Sequence, residues 1–232
     1  CAVKSSRASV GNTARCSIRT CHRFLTRTKS TVEKGPSMTD CAVILAGGQA
    51  NRMGGGDKGR LMLGDQSLIQ RVIDRITPQV DAVVLNANGD LSRFDDLGLP
   101  VVADSIADFP GPLAGVLAGM DWAAEQGHEW LISVAADTPS FPRDLAARLA
   151  GHDTPVVLAA TPDPERGRLP QPTFGRWRVA LRDDLRAALN DGVRKIRQWT
   201  QAQGETLVVF GEDDFFNINT PEDLAWAEKH LK

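Results

Sequence analysis

A short apolar run that ends in two glycines constrains the fold of this chain more than any other feature. Residues 41–46 read CAVILA and are followed by Gly47 and Gly48. A continuous apolar segment of this length is typical of a strand buried on both faces, as in a parallel sheet. Similar apolar runs recur along the chain at 81–86, 100–103, 130–136 and 155–160.

Segments with helical spacing separate these runs. Apolar residues at 68, 69, 72, 73 and 76 predict a helix within 61–80. Further helices are predicted at 111–126, 143–150, 179–189 and 193–203, and a last one with Thr220 as N-cap and Pro221 as first residue. Residues 161–175 suggest a short antiparallel hairpin, and 206–210 a late strand. This order predicts an α/β fold, three-layer and Rossmann-like, with helices on both faces of a mainly parallel twisted sheet.

The first 37 residues differ in composition from the rest. They hold eight basic residues against Glu33 alone, a formal charge of +7, which leaves −9 of the total of −2 in residues 38–232. We interpret 1–37 as a basic disordered leader, either non-native or upstream sequence before a natural start at Met38. A transit peptide and a functional basic arm are the alternatives. Residues 38–232 are predicted to form a single domain.

Charge, cysteine content and hydropathy exclude several classes of protein. An acidic body disfavours nucleic-acid binding, and no apolar run approaches the roughly 20 residues that span a bilayer, so no membrane partner is expected. Three of the four cysteines lie in the leader, without zinc-site spacing, and Cys41 stands alone in the body. The absence of a disulfide framework predicts a reducing cytoplasm.

The loop after the first predicted strand is rich in glycine and carries positive charge. Residues 47–59 read GGQANRMGGGDKG and include Arg52 and Lys58. Such glycines let backbone N–H groups approach phosphate oxygens, and the two basic side chains would attract the same groups. The spacing matches neither a Walker A loop nor the G-x-G-x-x-G fingerprint. A phosphate-binding loop is expected here, with a plain flexible surface loop as the alternative.

Polar residues also follow the other predicted strands, where open α/β sheets bind their ligands. Asn86 ends the second strand, Asp104 follows the third, and Asp137 follows the strongly apolar WLISVAA strand. A carboxylate at the end of such a strand needs a compensating partner. These positions are therefore candidates for ligand binding. The alternatives to ligand binding are purely structural roles: a turn at Asn86, an Asx cap at Asp104, a helix cap at Asp137 and an ordinary helix start at 111–115.

Several short motifs together resemble one family. LAGG at 45–48, RMG at 52–54 and DKG at 57–59 form the most specific pattern. Weaker segments accompany it: NAN at 86–88, DS at 104–105, GPLAG at 111–115, DTP at 137–139 and NINTPE at 217–222. In these motifs the chain resembles the molybdenum cofactor guanylyltransferases over about residues 41–228. The resemblance implies a nucleotide-diphospho-sugar transferase-like fold.

The resemblance also implies an activity and its participants. The expected enzyme transfers GMP from GTP to the terminal phosphate of molybdenum-molybdopterin, which yields molybdopterin guanine dinucleotide and pyrophosphate. Mg²⁺ is the implied cofactor. GTP and molybdenum-molybdopterin are the implied small-molecule partners, and proteins of molybdopterin synthesis or molybdoenzyme maturation are further candidates.

The resemblance assigns roles to particular residues. Lys58, Arg52 and Asp137 are the implied catalytic residues, with Asp137 as the Mg²⁺ ligand. GTP binding is assigned to Leu45, Ala46, Gly47, Gly48, Lys58, Asn86, Asp104 and Asp137. A weaker assignment places Gly55, Gly115 and Asn219 near the phosphates or the acceptor.

Other functions remain open at this point. A cytidylyltransferase acting on molybdopterin and a sugar-1-phosphate nucleotidyltransferase are alternatives within the same enzyme class. A non-catalytic GTP-binding regulatory or carrier module is the alternative of another class. The presence of both Lys58 and Asp137 argues against the last of these.

Overall fold

The architecture is taken from a computed structural model, which describes residues 40–47, 57–106 and 111–230. The strands are β1 Asp40–Leu45, β2 Met62–Leu63, β3 Gln66–Ser67, β4 Ala82–Asn86, β5 Val101–Val102, β6 Trp130–Ala135, β7 Val156–Asp163, β8 Gly167–Arg178 and β9 Thr206–Val209. The α-helices are α1 Leu68–Ile76, α2 Pro112–Glu125, α3 Leu145–Ala150, α4 Arg182–Asn190, α5 Ile196–Ala202 and α6 Pro221–His230. The predictions for the leader, residues 1–37, fall outside the described ranges and stay predictions.

Seven strands form one sheet in the order β5-β4-β1-β6-β8-β7-β9. Strand β1 lies between β4 and β6 and is parallel to both. Strand β8 is antiparallel to β6 and β7, and β9 is again parallel to β7. The predicted fold class, a mainly parallel α/β sheet, is therefore confirmed, with β8 as the antiparallel strand.

Helices cover both faces of the sheet, as the apolar runs predicted. In β1, Ala42 and Ile44 face one cluster of buried side chains, whereas Cys41 and Val43 face the other. The first cluster contains the apolar sides of α1 and α3, and the second contains those of α2, α4 and α5. Because β1 is buried on both faces, it needs apolar side chains at consecutive positions.

Two local predictions differ from the structure. The predicted helix within 61–80 begins only at Leu68, because a small antiparallel hairpin, β2–β3, precedes it and Ser67 caps the helix by accepting from the Gln70 N–H. The predicted short hairpin at 161–175 is the outer part of the longer β7–β8 pair, whose two strands run through the sheet. Strand length here depends on pairing partners that are distant in sequence.

The topology determines where a ligand can bind. The parallel strands β4, β1 and β6 end at the same edge of the sheet, at Asn86, Leu45 and Ala135, which are register partners. Ligands of open α/β sheets bind beyond this carboxyl edge. No helix in the described part of the chain is long and apolar enough to cross a membrane.

Candidate active site

A cleft of about 350 Å³ opens at the carboxyl edge of the sheet. Its lining combines strand ends, the first turn of α2 and polar side chains: Leu45, Gly47, Asn86, Asn88, Asp104, Gly111, Pro112, Ala135, Asp137, Thr173 and Asn217. The end of β1 and three predicted polar residues, Asn86, Asp104 and Asp137, therefore meet in one cleft. The volume lies at the lower end of the range typical of small-ligand sites.

One part of the cleft is a network of a carboxylate and two amides, here called the Asp104 network (Asn86, Asn88 and Asp104). Asn86 Nδ2 donates to Asp104 Oδ1 at 2.9 Å and to the Val102 carbonyl at 3.3 Å. Asn88 Nδ2 donates to Asp104 Oδ2 at 2.7 Å, and the Asp104 N–H donates to Asn88 Oδ1 at 2.9 Å. Both oxygens of Asp104 are thus held by neutral donors, which fixes the carboxylate at the cleft wall.

Gly115 completes this network through the absence of a side chain. A Cβ at position 115 would lie 2.3 Å from Asn86 Oδ1 and 2.8 Å from Leu45 Cδ2. Gly115 therefore allows α2 to approach the buried Asn86 amide closely. Its predicted contact with phosphate or acceptor stays a prediction, whereas its packing against Asn86 is observed.

A charged group adjoins the cleft through Asp137 and is here called the Lys58 cluster (Lys58, Asp137 and Asn219). Lys58 Nζ lies 3.4 Å from Asp137 Oδ2 and donates a short hydrogen bond to Asn219 Oδ1. The side chains of Lys58 and Asp137 are each about one-fifth exposed. Three residues from distant parts of the sequence, all predicted as site residues, are thus in direct contact.

The turn before α6 positions Asn219. The carboxylate of Asp223 accepts from the N–H groups of Asn219 and Thr220, and Thr220 Oγ1 accepts from the Asp223 N–H. This reciprocal arrangement confirms Thr220 as the N-cap. The hydrogen bond from the Asn219 N–H, first, and the nearby Lys58 charge lower the pKa of Asp223 below its usual value. Asn219 is therefore held by the start of a helix.

Two ion pairs flank Lys58 in the chain. Arg93 Nε donates to Asp57 Oδ2 at 2.6 Å, and Arg60 donates to both carboxylate oxygens of Asp96, at 2.7 and 2.5 Å. Arg93 belongs to the 3-10 helix Leu91–Leu97, and Arg60 binds Asp96 of the same helix. Both guanidinium groups stack over the buried ring of Phe94. The chain on either side of Lys58 is therefore fixed to this segment, a contact that sequence spacing did not reveal.

The end of β1 is positioned by its neighbouring strands. The Ala46 N–H donates to the Asn86 carbonyl at 2.9 Å, and the Leu45 carbonyl accepts from the Ala136 N–H at 3.1 Å. Gly47 is exposed and lines the cleft. The predicted guanine and ribose contacts of Leu45, Ala46 and Gly47 stay predictions, because two of these backbone groups already bond within the sheet.

The predictions for Gly48, Arg52 and Gly55 lie outside the described residues. Three polar residues of the cleft lining, Asn88, Thr173 and Asn217, were not among the predicted site residues. Asn88 and Asn217 belong to the NAN and NIN motifs, so a signal was present. Thr173 had none, since it comes from the antiparallel strand β8 beside β6.

Two local alternatives are resolved by these contacts. Asp137 does not cap a helix in the described part of the chain, where the next helix, α3, begins at Leu145. The Asp104 carboxylate accepts from the amides of Asn86 and Asn88 rather than from a turn N–H among the described residues. Both carboxylates are thus cleft residues.

Asp137 has the chemistry of a Mg²⁺ ligand. Among the described residues, its oxygens make only long side-chain contacts, 3.4 Å to Lys58 Nζ and 3.4 Å to Thr138 Oγ1, which leaves lone pairs available to a ligand in the cleft. No group of three or more potential metal ligands occurs in the described part of the chain. Mg²⁺ is usually held by one or two carboxylates together with water and substrate phosphates, and one carboxylate in this cleft fits that mode.

Comparison with known proteins finds a family model and several similar proteins that match this chain. The model of the MobA-like NTP transferase domain matches residues 42–207. A molybdenum cofactor guanylyltransferase from Nitrobacter hamburgensis is 46% identical over 209 residues, covering 86% of this chain and 96% of the relative. A protein of the same name from Rhodopseudomonas palustris is 48% identical over 195 residues, covering 81% and 90%.

Solved structures share the fold. The crystal structure of molybdopterin-guanine dinucleotide biosynthesis protein A from Archaeoglobus fulgidus aligns with a TM-score of 0.61 and 22% identity. The alignment covers 82% of this chain and 97% of that chain. At this identity the likeness concerns the fold alone.

Proposed function

Since this chain belongs to the family of MobA-like nucleotidyltransferases, together with the molybdenum cofactor guanylyltransferases, we propose that it transfers GMP from GTP to molybdenum-molybdopterin. The products are molybdopterin guanine dinucleotide and pyrophosphate. The observation that carries the proposal is the contact of Lys58 with Asp137 at the cleft. A cation and a metal-binding carboxylate side by side are what phosphoryl chemistry requires.

In the proposed reaction, an oxygen of the acceptor's terminal phosphate attacks the α-phosphorus of GTP in line. The new bond joins this oxygen to the α-phosphorus, while the bond from the α-phosphorus to the bridging oxygen breaks. The bonding electron pair leaves with pyrophosphate. Because the attacking phosphate is already ionised near neutral pH, no general base is needed, and the enzyme contributes positioning and electrostatic stabilisation.

Lys58 is proposed to stabilise the charge that spreads over the phosphate oxygens. The ammonium of Lys58 contacts the carboxylate of Asp137 and the amide oxygen of Asn219. The long contact with Asp137 can be exchanged for a phosphate oxygen, while Asn219 keeps the ammonium at the cleft. Arg52, on the same loop, is proposed to add a second positive charge to the phosphates.

Mg²⁺ would be held by Asp137. When bound, the ion supplies positive charge that neutralises and orients the nucleotide phosphates. The charge balance of the Lys58 cluster supports this role. When Lys58 turns towards a phosphate, Asp137 loses its cationic partner, and Mg²⁺ would take that place.

The Asp104 network is proposed to bind the nucleoside part of GTP. The amide N–H groups of Asn86 are not free to donate to a base edge, because they are engaged with Val102 and Asp104. Asn86 is therefore proposed to act by holding Asp104, whose carboxylate lines the cleft. Backbone groups at Leu45, Ala46, Gly47 and Gly48 complete the proposed nucleoside site.

A pyrophosphate-release assay tests the proposal. The full chain is incubated with Mg²⁺, molybdenum-loaded molybdopterin and either GTP or CTP, and each reaction is repeated without acceptor. We expect pyrophosphate release with GTP that depends on both acceptor and Mg²⁺. Faster release with CTP would instead indicate a cytidylyltransferase. GTP binding without any release in the presence of acceptor would overturn catalysis in favour of a regulatory or carrier role.

We place this reaction in the cytoplasm. Support comes from Cys41, the cysteine of the body, which is a free and buried thiol. Burial raises the pKa of this thiol to about 12, so it stays protonated and behaves as a small apolar side chain of the core.

A further inference from the structure

A second cavity, of about 320 Å³, lies against α1 on the side of the sheet that carries α1 and α3. Arg71 and Arg75 reach it from α1, and Arg143 reaches it from the segment between β6 and α3. Pro139 and Ser140, which follow the Asp137–Thr138 turn, form part of its wall. We call this cavity the arginine pocket and define it by Arg71, Arg75 and Arg143.

The three guanidinium groups have few anionic partners. Arg75 donates to the backbone carbonyl of Phe141 at 3.0 Å, and Arg71 donates to the carbonyl of Leu63 at 2.6 and 3.1 Å. Arg71 also lies 3.7 Å from Asp65, a fully solvated carboxylate. Arg143 has no ion-pair partner among the residues that the structure describes. Of the three guanidinium groups, those of Arg75 and Arg143 therefore have no ion-pair partner in the described part of the chain, and Arg71 has a long, solvent-exposed pair.

One carboxylate, that of Asp74, also lines the pocket. Its two oxygens accept from the side-chain amides of Gln66 and Gln70, each at 2.9 Å. Three formal positive charges thus line the cavity against one negative charge, whose hydrogen-bonding capacity is largely used by neutral groups. This is unusual in a body with a formal charge of −9.

The environment of Arg75 also indicates an excess of positive charge in the arginine pocket. Its pKa is lowered, first by burial and then by the neighbouring charges of Arg143 and Arg71. Like charges that face one cavity repel each other, and this costs stability unless a ligand or solvent compensates. An anion in the pocket would relieve both the repulsion and the incomplete hydrogen bonding of the guanidinium groups.

From this geometry we infer that the arginine pocket binds a phosphate group, either free or as the terminal group of a small phosphate monoester. Arginine forks match phosphate oxygens in pairs, and three of them can surround one phosphate. The cavity has room for a phosphate with a small organic substituent, near the lower limit of common ligand sites. The inference does not depend on the proposed transferase activity, because the residues of the pocket are separate from the Lys58 cluster and the Asp104 network.

The test measures binding of inorganic phosphate and of ribose 5-phosphate to the full chain by ³¹P NMR titration at constant ionic strength. Arg143 is the residue to change, since it is exposed and makes no hydrogen bond or ion pair within the described ranges. We compare the wild type with Arg143→Gln, Arg143→Glu and Arg143→Lys. Arg182→Gln is the matched control, because Arg182 is partly exposed, forms an ion pair with the exposed Asp183 and does not line the pocket.

We expect Arg143→Gln to weaken binding roughly tenfold or more, since a charge-assisted contact to phosphate is lost. Arg143→Glu should abolish binding, and Arg143→Lys should restore part of it, whereas Arg182→Gln should bind as the wild type does. Preference for inorganic phosphate or for ribose 5-phosphate tells which form of the group is the ligand.

A Lys58→Ala variant separates this pocket from the cleft. We expect the binding that depends on Arg143 to persist in Lys58→Ala. Two outcomes would overturn the inference: neither phosphate compound binds in an Arg143-dependent way, or Lys58→Ala removes all phosphate binding while Arg143→Gln removes none.

Discussion

The two parts of the cleft are built from similar groups but in opposite ways. In the Asp104 network, a carboxylate accepts from two neutral amides at 2.9 and 2.7 Å, and its residues are 16 and 18 positions apart in sequence. In the Lys58 cluster, a carboxylate faces an ammonium at 3.4 Å, and the contacts join residues 79 and 161 positions apart. The hydrogen bonds of the Asp104 network have ordinary lengths and join residues that are closer in sequence. The ion pair of the Lys58 cluster is longer and joins residues that are distant in sequence.

This difference indicates a division of labour. Amide–carboxylate bonds of ordinary length fix a shape, because both oxygens of the Asp104 carboxylate are held by neutral donors. A long contact between opposite charges can separate at little net electrostatic cost when new partners replace the old ones. Here a phosphate would replace Asp137 beside Lys58, and a metal ion would replace Lys58 beside Asp137. The Asp104 network is thus suited to bind the part of a ligand that does not change during a reaction. The Lys58 cluster is suited to bind the part whose charge changes.

The largest effect should come from Asp137→Asn. Removal of the metal-binding charge should lower turnover about 10³-fold or more, because charge stabilisation in the transition state is lost. The melting temperature should change little, since the carboxylate is partly exposed and its pair with Lys58 is long. Pyrophosphate release and thermal unfolding measure the two quantities.

Asp183→Asn is the control for this charge change, because Asp183 is exposed and remote from the cleft lining. It should retain wild-type turnover. Near-normal activity of Asp137→Asn would refute the assignment of Asp137 as the metal ligand.

Lys58→Ala should have the next largest effect, lowering kcat by about 10²–10³-fold, as for loss of one group that stabilises developing charge. Lys58→Arg should recover only part of the rate, because a planar guanidinium cannot occupy the position of the ammonium against Asn219. Steady-state kinetics with GTP measure both variants. An effect confined to KM would show that Lys58 binds the ground state and contributes nothing specific to the transition state.

A smaller effect is expected from Gly115→Ala, and a second glycine of α2 provides its matched control. The new Cβ would lie 2.3 Å from Asn86 Oδ1 at position 115, whereas at position 119 it would lie 2.8 Å from Val43 Cβ. Each substitution should destabilise the fold by about 1–3 kcal/mol through overpacking.

Only Gly115→Ala should also raise the KM for GTP, because only this Cβ displaces the amide that holds Asp104. Denaturant unfolding and steady-state kinetics on the same two proteins separate stability from nucleotide binding. Equal KM values in Gly115→Ala and Gly119→Ala would remove the Asp104 network from nucleotide recognition.

The smallest effect concerns the turn that holds Asn219. The pKa of Asp223 is lowered from its usual value of 3.8, mainly by the Asn219 N–H, so the charged form stabilises the fold. This contribution is present above the unfolded-state pKa and is lost as the pH falls through the lower folded-state pKa. Asp223→Asn, which cannot titrate, should therefore lower the melting temperature by a few degrees at neutral pH.

The difference in melting temperature between wild type and Asp223→Asn should shrink at a pH below the usual value of 3.8. Circular dichroism at both pH values measures it. A difference that is independent of pH would mean that the Asp223 charge does not stabilise the α6 turn.

The strand pattern was readable because burial on two faces leaves a direct mark on the sequence. The run at 41–46 predicted β1 to within one residue at each end, and Thr220 with Pro221 predicted the start of α6. Strand β8 was read only as part of a short hairpin, because its place between β6 and β7 depends on pairing across the sheet and not on local periodicity.

The polar residues of the cleft were partly readable for a similar reason. Asn86, Asp104 and Asp137 stand directly after apolar strands, so the carboxyl-edge rule located them. Thr173 was missed because it lies within a strand that runs in the opposite direction. Arg93 and Asp96 were missed because their partners, Asp57 and Arg60, are more than 30 residues away and no periodicity links them.

By itself, the sequence determined the α/β class, the edge of the sheet where the polar strand-end residues gather and the residue types available for phosphoryl chemistry, because apolar periodicity and strand-end polarity are local properties. Only the tertiary structure decided which of these residues touch. It placed Asn219 on Lys58, turned the Asn86 amide towards Asp104 and gathered three arginines around a separate pocket. These are contacts across the sheet and between helices, and they depend on chain topology and close packing, which no single segment encodes.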